Sequence, residues 1–176
     1  MAKARIEKDF YPTPSWCVKA LLECIEFREG DVIAEPCRGD GRITNELPVG
    51  NMIKWAEITD GVDYLDNSID MSADVIITNP PFSLALEFIQ TAMNRDLAVD
   101  GTMCFLLRLS WLGSKGRADF WRKFPFTNLL ILTPRPSFVH KGSDNSEYAW
   151  VCWDKGNRIK RPALWTLKKE EVEHVG

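Results

Sequence analysis

The sequence predicts an α/β fold built on a mostly parallel β-sheet. Short apolar runs bounded by turn residues alternate with helical periodicities. Polar residues gather where several of these runs end, which is where open α/β sheets hold ligands. The last two apolar runs are joined by a loop without a helical pattern, so that pair is expected to be antiparallel at one side of the sheet.

The elements follow in order. "SWCVKALLECIEF" has apolar residues at 16, 17, 20, 21, 24 and 25, the spacing of one helix face, and Ser15 is placed to cap it. "EGD" turns the chain into a short strand, "DVIAE". The Gly-containing loop "PCRGDGRI" leads into a short helix, and "MIKWAE" is a second strand. "DVIIT" is a third, followed by Asn79-Pro80-Pro81-Phe82 and the helix "LALEFIQTAMN". "GTMCFLLRL" is a further strand, then comes the basic segment "SWLGSKGRADFWRKF". "NLLILT" and "SEYAWVCW" are the final pair. The stretch "KGNRIKRPALWTLKKEEVEHV" is basic and then acidic, and reads as a flexible tail or an added phosphate contact.

Length and composition set the bounds. A chain of 176 residues with 45% apolar residues makes one domain, 1–176, with a substantial core. No apolar run approaches the ~18 residues of a membrane span. The N-terminus lacks the apolar stretch of a secretory signal, so a cytoplasmic protein with no membrane partner is expected. Five cysteines with no C-x-x-C pair read as reduced thiols, and no metal site is expected. Two histidines leave little room for zinc or Ser-His-Asp chemistry. The net charge of −3 hides an asymmetry: residues 1–100 hold 9 basic and 18 acidic residues, and residues 101–176 hold 13 and 7. A basic half can face a polyanion, and a merely solvated surface explains it equally.

The strand ends carry the chemistry. Glu35 to Gly41, "EPCRGDG", follow the first strand, and Gly39-Asp40-Gly41 allows close backbone approach to a ligand. Thr44 replaces the third glycine of a dinucleotide fingerprint, and no Gly-Lys-Ser/Thr follows. Glu35 and Asp40 would repel a pyrophosphate and welcome a cation. Glu57, about twenty residues on, is placed to accept from ribose hydroxyls. Together these point to an uncharged or cationic nucleoside, with S-adenosylmethionine the obvious candidate.

"DFYPTP", "EPCRGDGRI", "WAEI" and "NPPF", in this order, resemble the motifs of S-adenosylmethionine-dependent DNA adenine-N6 methyltransferases, in particular their short phage-type members. The tail "RPSF…DNSEYAWVCWDKG" is similar to those members too, so the likeness covers most of the chain. It implies a Rossmann-like class I methyltransferase fold with a seven-stranded-type sheet and an antiparallel last strand. Tyr11, Pro12 and Thr13 would line the methionine end of the cofactor, with Glu35, Pro36, Gly39, Asp40 and Gly41. Glu57 would bind the ribose, and Ile58 would lie against the adenine. Asp63 would reach the adenine amine, though Asp60 and Asp66 of "TDGVDYLD" are alternatives.

The family chemistry accounts for the strand that ends in Asn-Pro-Pro-Phe. An exocyclic amine is a poor nucleophile because its lone pair is delocalised into the ring. Two acceptors aimed at its hydrogens would localise that lone pair: the side-chain oxygen of Asn79 and the carbonyl of Pro80. Pro80 and Pro81 fix the backbone that aims them. Phe82 would stack on the base, worth ~1–3 kcal/mol. Asn79 would also border the cofactor. No general base is needed before transfer.

Two regions remain. Lys115, Arg117, Arg122 and Lys123 could contact phosphates, with Trp111 near a flipped base; the alternative is an amphipathic helix with a solvated basic face. Arg135 and Phe138 of "RPSFVHKG" could form the far wall of a base pocket, with Phe138 opposite Phe82. Barely fifteen residues separate Asp63 from Asn79, so no separate target-recognition domain is expected. Low or partner-supplied sequence specificity follows. The abbreviated helices between the first strands leave one sheet face thin, which a homodimer or a partner subunit would cover. The expected function is methyl transfer to adenine N6 in DNA. The alternatives are an RNA base or protein glutamine as acceptor, and a non-catalytic cofactor-binding partner subunit.

Overall fold

The computed structural model describes residues 11–138 and 145–173. Its strands are β1 (Val32–Glu35), β2 (Met52–Trp55), β3 (Ala73–Thr78), β4 (Leu97–Arg108), β5 (Asn128–Thr133), β6 (Tyr148–Asp154) and β7 (Leu164–Lys168). They form one sheet in the order β2-β1-β3-β4-β6-β5-β7. Strands β2, β1, β3 and β4 run parallel, and β6 runs antiparallel between β4 and β5. The sheet is thus the mixed, mostly parallel one expected, with β6 as the reversed strand. One strand more follows it. β7 pairs parallel to β5 and leads into helix α5 (Lys169–Glu173).

The pleat divides the central strands between two cores. Val75, Ile77, Cys104, Leu106, Trp150 and Cys152 face one side, beneath helix α1 (Ser15–Leu22). Ile76, Met103, Phe105, Val151 and Trp153 face the other, against helix α2 (Ala85–Thr91). Helix α3 (Leu109–Leu112) and helix α4 (Ala118–Lys123) add Trp111 and Phe120 to that second core. Trp150 is fully buried and its indole N–H donates to the Cys17 carbonyl at 3.0 Å, which pins α1 to the sheet. All five cysteines are free thiols, and burial pushes those of Cys17, Cys24 and Cys152 up, away from reactivity.

Tertiary contacts override local signals at two places. Pro14, not Ser15, occupies the N-cap of α1, and the Ser15 hydroxyl instead donates to Glu46 at 2.5 Å. The apolar periodicity runs to Ile25, yet α1 ends at Leu22 because Ile25 bridges to Ile159 and Glu26 donates its N–H to Arg158. The β1–β2 and β2–β3 connections carry only 3-10 turns, at Thr44–Glu46 and Ile58–Asp60, and edge strand β2 exposes Met52 and Trp55.

A buried ion pair joins the turn before β1 to the loop after β6. Arg158 donates to both oxygens of Asp31, at 2.6 and 3.0 Å, with both side chains buried. Burial works to raise the Asp31 carboxyl, but the bonds from Arg158 and the Arg28 N–H, with the charges of both arginines, together outweigh it and hold it below its ordinary 3.8. Its folded-state stabilisation is therefore present at neutral pH and is lost as the pH falls below 3.8. Arg158→Ala strands the carboxylate, and urea unfolding at pH 7 is expected to show a loss of about 3–5 kcal/mol. A loss below about 1 kcal/mol would show that the pair is not a stabilising tie.

Candidate functional site

Four polar residues stand at the carboxyl ends of the parallel strands. Glu35 ends β1, Glu57 lies two residues past β2, Asn79 follows β3 and Arg108 ends β4. The loop after β1 turns sharply, and Gly39 and Gly41 take φ of 56° and 82°, the left-handed region that suits glycine. Arg38 N–H donates to the Ala56 carbonyl at 3.0 Å, which holds this loop against the end of β2.

Glu57 knits the two loops together. It is buried, and its carboxylate accepts from the Gly39 N–H at 2.7 Å and from the Thr59 N–H and hydroxyl at 3.1 and 2.9 Å. Ribose hydroxyls at this rim would share the carboxylate with those donors. Beside it lies a pocket of about 150 Å³ walled by apolar Ile58, Val62, Leu65, Leu84 and Phe88, with Pro36 and Pro81. Of the three candidate aspartates only Asp63 lines it, held by an acceptor bond from the Leu65 N–H at 3.0 Å. Asp60 is exposed and pairs with Arg38 at 3.6 Å, and Asp66 is exposed and accepts from Ser68 N–H.

A narrower polar cleft adjoins this pocket, with Cys37 shared between them. Tyr11, Pro12, Thr13, Glu35, Gly39, Asp40 and Asn79 line it. Its charge differs from the sequence argument. Arg38 and Arg42 also line it, and Asp40 is paired with Arg42 at 2.9 Å. Burial pushes the Glu35 carboxyl up from 4.5 to about 8, against the opposing bond it accepts from the Thr44 hydroxyl. At neutral pH this carboxyl is mostly protonated, so the resting cleft repels anions less than two free carboxylates would.

Asn79 is oriented by its neighbours. Its amide N–H groups donate to the Tyr11 carbonyl at 2.9 Å and to the Thr13 hydroxyl at 3.0 Å. A backbone carbonyl only accepts, so the amide nitrogen must face Tyr11 and the amide oxygen faces away. Pro81 sits extended at φ −58° and ψ 125°, and a 3-10 turn at Phe82–Leu84 follows. Phe82 is half-buried against Tyr11 and Tyr148, at centroid distances of 5.5 and 6.0 Å. Phe138 packs on Tyr148 at 4.6 Å and on Tyr11 at 6.1 Å, and so shares this aromatic box with Phe82. The remainder of "RPSFVHKG", from Val139, lies outside the described residues.

The basic segment forms a cluster of its own. Trp111 is only 8% exposed and packs edge-on against Trp121 at 5.6 Å, with the Arg117 guanidinium over its ring at 4.1 Å. Lys115, Arg122 and Lys123 are exposed, with Arg122 near Asp119 at 3.7 Å. Arg135 is exposed and pairs with Glu147 at 2.5 Å. Sequence reasoning missed Arg108 and Tyr148 at the box. The available signal was a charged residue closing a long buried run at its carboxyl end. Among the described residues no helix is long and apolar enough to cross a membrane, and no cluster of three His, Cys, Asp or Glu residues could hold a metal ion.

No family model matches the chain, and no curated protein matches it in sequence. Solved structures do. A Listeria monocytogenes protein described as a class I S-adenosylmethionine-dependent methyltransferase superposes with a TM-score of 0.64 at 16% identity, over 93% of this chain and 68% of that one. A Vibrio vulnificus protein described as the modification subunit of a type I restriction enzyme gives 0.59 at 16%, over 87% and 46%. Precorrin-6y C5,15-methyltransferase from Geobacter metallireducens gives 0.56 at 14%, over 87% and 94%. This chain therefore spans about two thirds of the first and under half of the second. These likenesses define the fold: a Rossmann-like class I methyltransferase fold.

The Glu35 carboxyl has a folded-state pKa above its ordinary value, so its contribution to stability is full below pH 4.5 and is lost as the pH rises through about 8. Glu35→Gln keeps a neutral hydrogen-bonding side chain. Thermal unfolding of both proteins from pH 5 to 8 is expected to show the wild type losing stability relative to the variant. Parallel curves would place an ionised carboxylate at this position throughout.

Proposed function

We propose that the chain is an S-adenosylmethionine-dependent methyltransferase acting on an exocyclic amine, in the first place adenine N6 in DNA. The orientation of Asn79 carries this reading. Two donor bonds fix its amide nitrogen, so its oxygen is the group presented at the end of β3.

The pocket suits the adenosyl part of the cofactor. A flat ring with an amine donor fits a slot with apolar walls and Asp63 at its edge, and hydroxyl donors fit Glu57. Ile58 would lie against the ring. When bound, S-adenosylmethionine supplies a methyl group made electrophilic by a sulfonium. Glu35 and the Tyr11-Pro12-Thr13 segment would hold the methionine end, beside the backbone of Gly39 and Asp40, with the left-handed Gly41 completing the turn beneath them. A cationic ligand would favour ionisation of Glu35 and so release its proton.

The chain's own residues would prepare the acceptor. The Asn79 oxygen and the Pro80 carbonyl accept from the two amine hydrogens, and the nitrogen lone pair is drawn out of conjugation toward the methyl. Pro81 holds the backbone rigid, and Phe82 stacks on the ring. Such pre-aimed acceptors act without reorganising during reaction. The restriction-modification subunits among the structural neighbours support DNA as the substrate. On this reading sequence specificity is low or supplied by a partner subunit. The exposed Lys115, Arg122 and Lys123 would add phosphate contacts.

Incubation with methyl-labelled S-adenosylmethionine tests this on duplex DNA, single-stranded DNA, RNA and a protein lysate in parallel. Label is expected in N6-methyladenine after digestion of the DNA. Label only in RNA or protein would keep the chemistry and overturn the substrate. No label, with the cofactor bound, would point to a non-catalytic partner subunit. Asn79→Ala is expected to lower transfer by about a hundredfold or more, a larger loss than the one in cofactor affinity that follows from cutting its ties to Tyr11 and Thr13. Equal transfer by the variant would remove Asn79 from the mechanism.

A further inference from the structure

Four residues that wall the slot beside Glu57 are consecutive: Val62, Asp63, Tyr64 and Leu65. They lie in neither a helix nor a strand, so no ladder of backbone bonds holds them. At the near end of this strap the Val62 N–H donates to the Glu57 carbonyl at 3.1 Å. The Leu65 and Asp66 N–H groups both donate back to Asp63, at 3.0 Å each. Those bonds curl the strap but do not fasten its far end.

Arg95 fastens it. A π-helical turn, Ala92–Asp96, follows α2 and carries this side chain. Its Nη2 donates to the Tyr64 carbonyl at 2.9 Å, and its Nη1 donates to the Asp66 carbonyl at 3.0 Å. Its Nε and Nη2 also donate to the two Asp96 oxygens, at 2.8 and 3.0 Å. The guanidinium carbon lies 5.0 Å from the Tyr64 ring centroid. The Asp96 side chain is 2% exposed, so a buried carboxyl grips the fork from behind.

A brace for α2 alone would return to carbonyls of that helix. These bonds instead reach back 31 and 29 residues, to the two carbonyls that flank Leu65. A planar fork can meet a carboxyl on one side and two carbonyls on the other, whereas a lysine ammonium has the charge without the shape. Arg95 does not itself line the slot, so any effect it has on a ligand passes through the wall it holds.

We propose that Arg95 is a positioning residue for the slot. It fixes the strap 62–66 before a ligand arrives, so that Asp63 stands ready to accept from a ring amine and the Tyr64 and Leu65 walls stand ready for the ring. This inference rests on the reading of the slot as an adenosyl site.

Calorimetric titration tests it on wild type, Arg95→Lys and Arg95→Met. The probes are S-adenosylhomocysteine and its deaminated analogue, which carries a ring carbonyl in place of the amine. The wild type is expected to prefer the amine about tenfold or more, since the analogue leaves Asp63 without a donor. Both variants are expected to narrow that preference to about threefold or less. A purely stabilising brace would lower the unfolding temperature of the variants and leave the preference of the folded protein unchanged, which would overturn the inference. Arg95→Lys keeps a cation beside Asp96 and so guards against loss of the fold. Hydrogen exchange on the wild type needs no variant. Amides of the strap are expected to be protected about tenfold or more without ligand. Free exchange that slows only on binding would show that the ligand, not Arg95, orders the strap. If the variants keep the wild-type preference for the amine, the inference fails and the functional reading stands. Equal binding of both compounds by the wild type also overturns the inference. If the wild type binds neither compound, both fail together.

Discussion

Two hydrogen bonds from the Asn79 amide, to the Tyr11 carbonyl and the Thr13 hydroxyl, hold the site in its arrangement. They join the segment before α1 to the carboxyl end of the central strand β3. That single tie sets the direction of the amide oxygen, brings Tyr11 against Phe82 and closes one wall of the polar cleft. Because a backbone carbonyl cannot donate, the amide cannot reverse without losing the bond. The geometry comes from an obligatory donor–acceptor match rather than from a flexible salt bridge.

The second tie is the Glu57 carboxyl, which gathers the Gly39 N–H and the Thr59 donors around one buried side chain. An ionised group in that position is tolerable only when several donors surround it. The Glu35 carboxyl, a short way along the same sheet edge, takes the other solution and holds its proton. For Glu35, desolvation outweighs the bonds it accepts from the Thr44 hydroxyl and backbone.

Much of the sheet was legible because its central strands are buried on both faces, and continuous runs such as "DVIIT" and "MCFLLR" announce that burial directly. The strand-end residues were legible for the same reason, since a polar residue stopping an apolar run has few other uses. Strand β7 was hidden: its Leu164 and Trp165 are exposed and its one well-buried residue is Leu167, so no run or clear alternation marked it. The cap of α1 was misread because the Ser15 hydroxyl is claimed by Glu46, thirty-one residues away. The sequence placed Trp111 near a flipped base, yet the ring is buried in the second core against Trp121, a partner ten residues on that the basic residues around it hid. Arg108 was missed since its neighbours Tyr11, Phe82 and Tyr148 are far apart in the chain.

The central claim is that the slot beside Glu57 and Asp63 holds an adenosyl group whose methyl faces Asn79. Calorimetric titration of the chain with S-adenosylmethionine, alongside an Ile58→Trp variant that fills the slot from its half-exposed rim, tests it most directly. Saturable binding at one site in the wild type, lost in the filled variant, is the predicted result. No binding, or binding that ignores the added indole, would contradict the account.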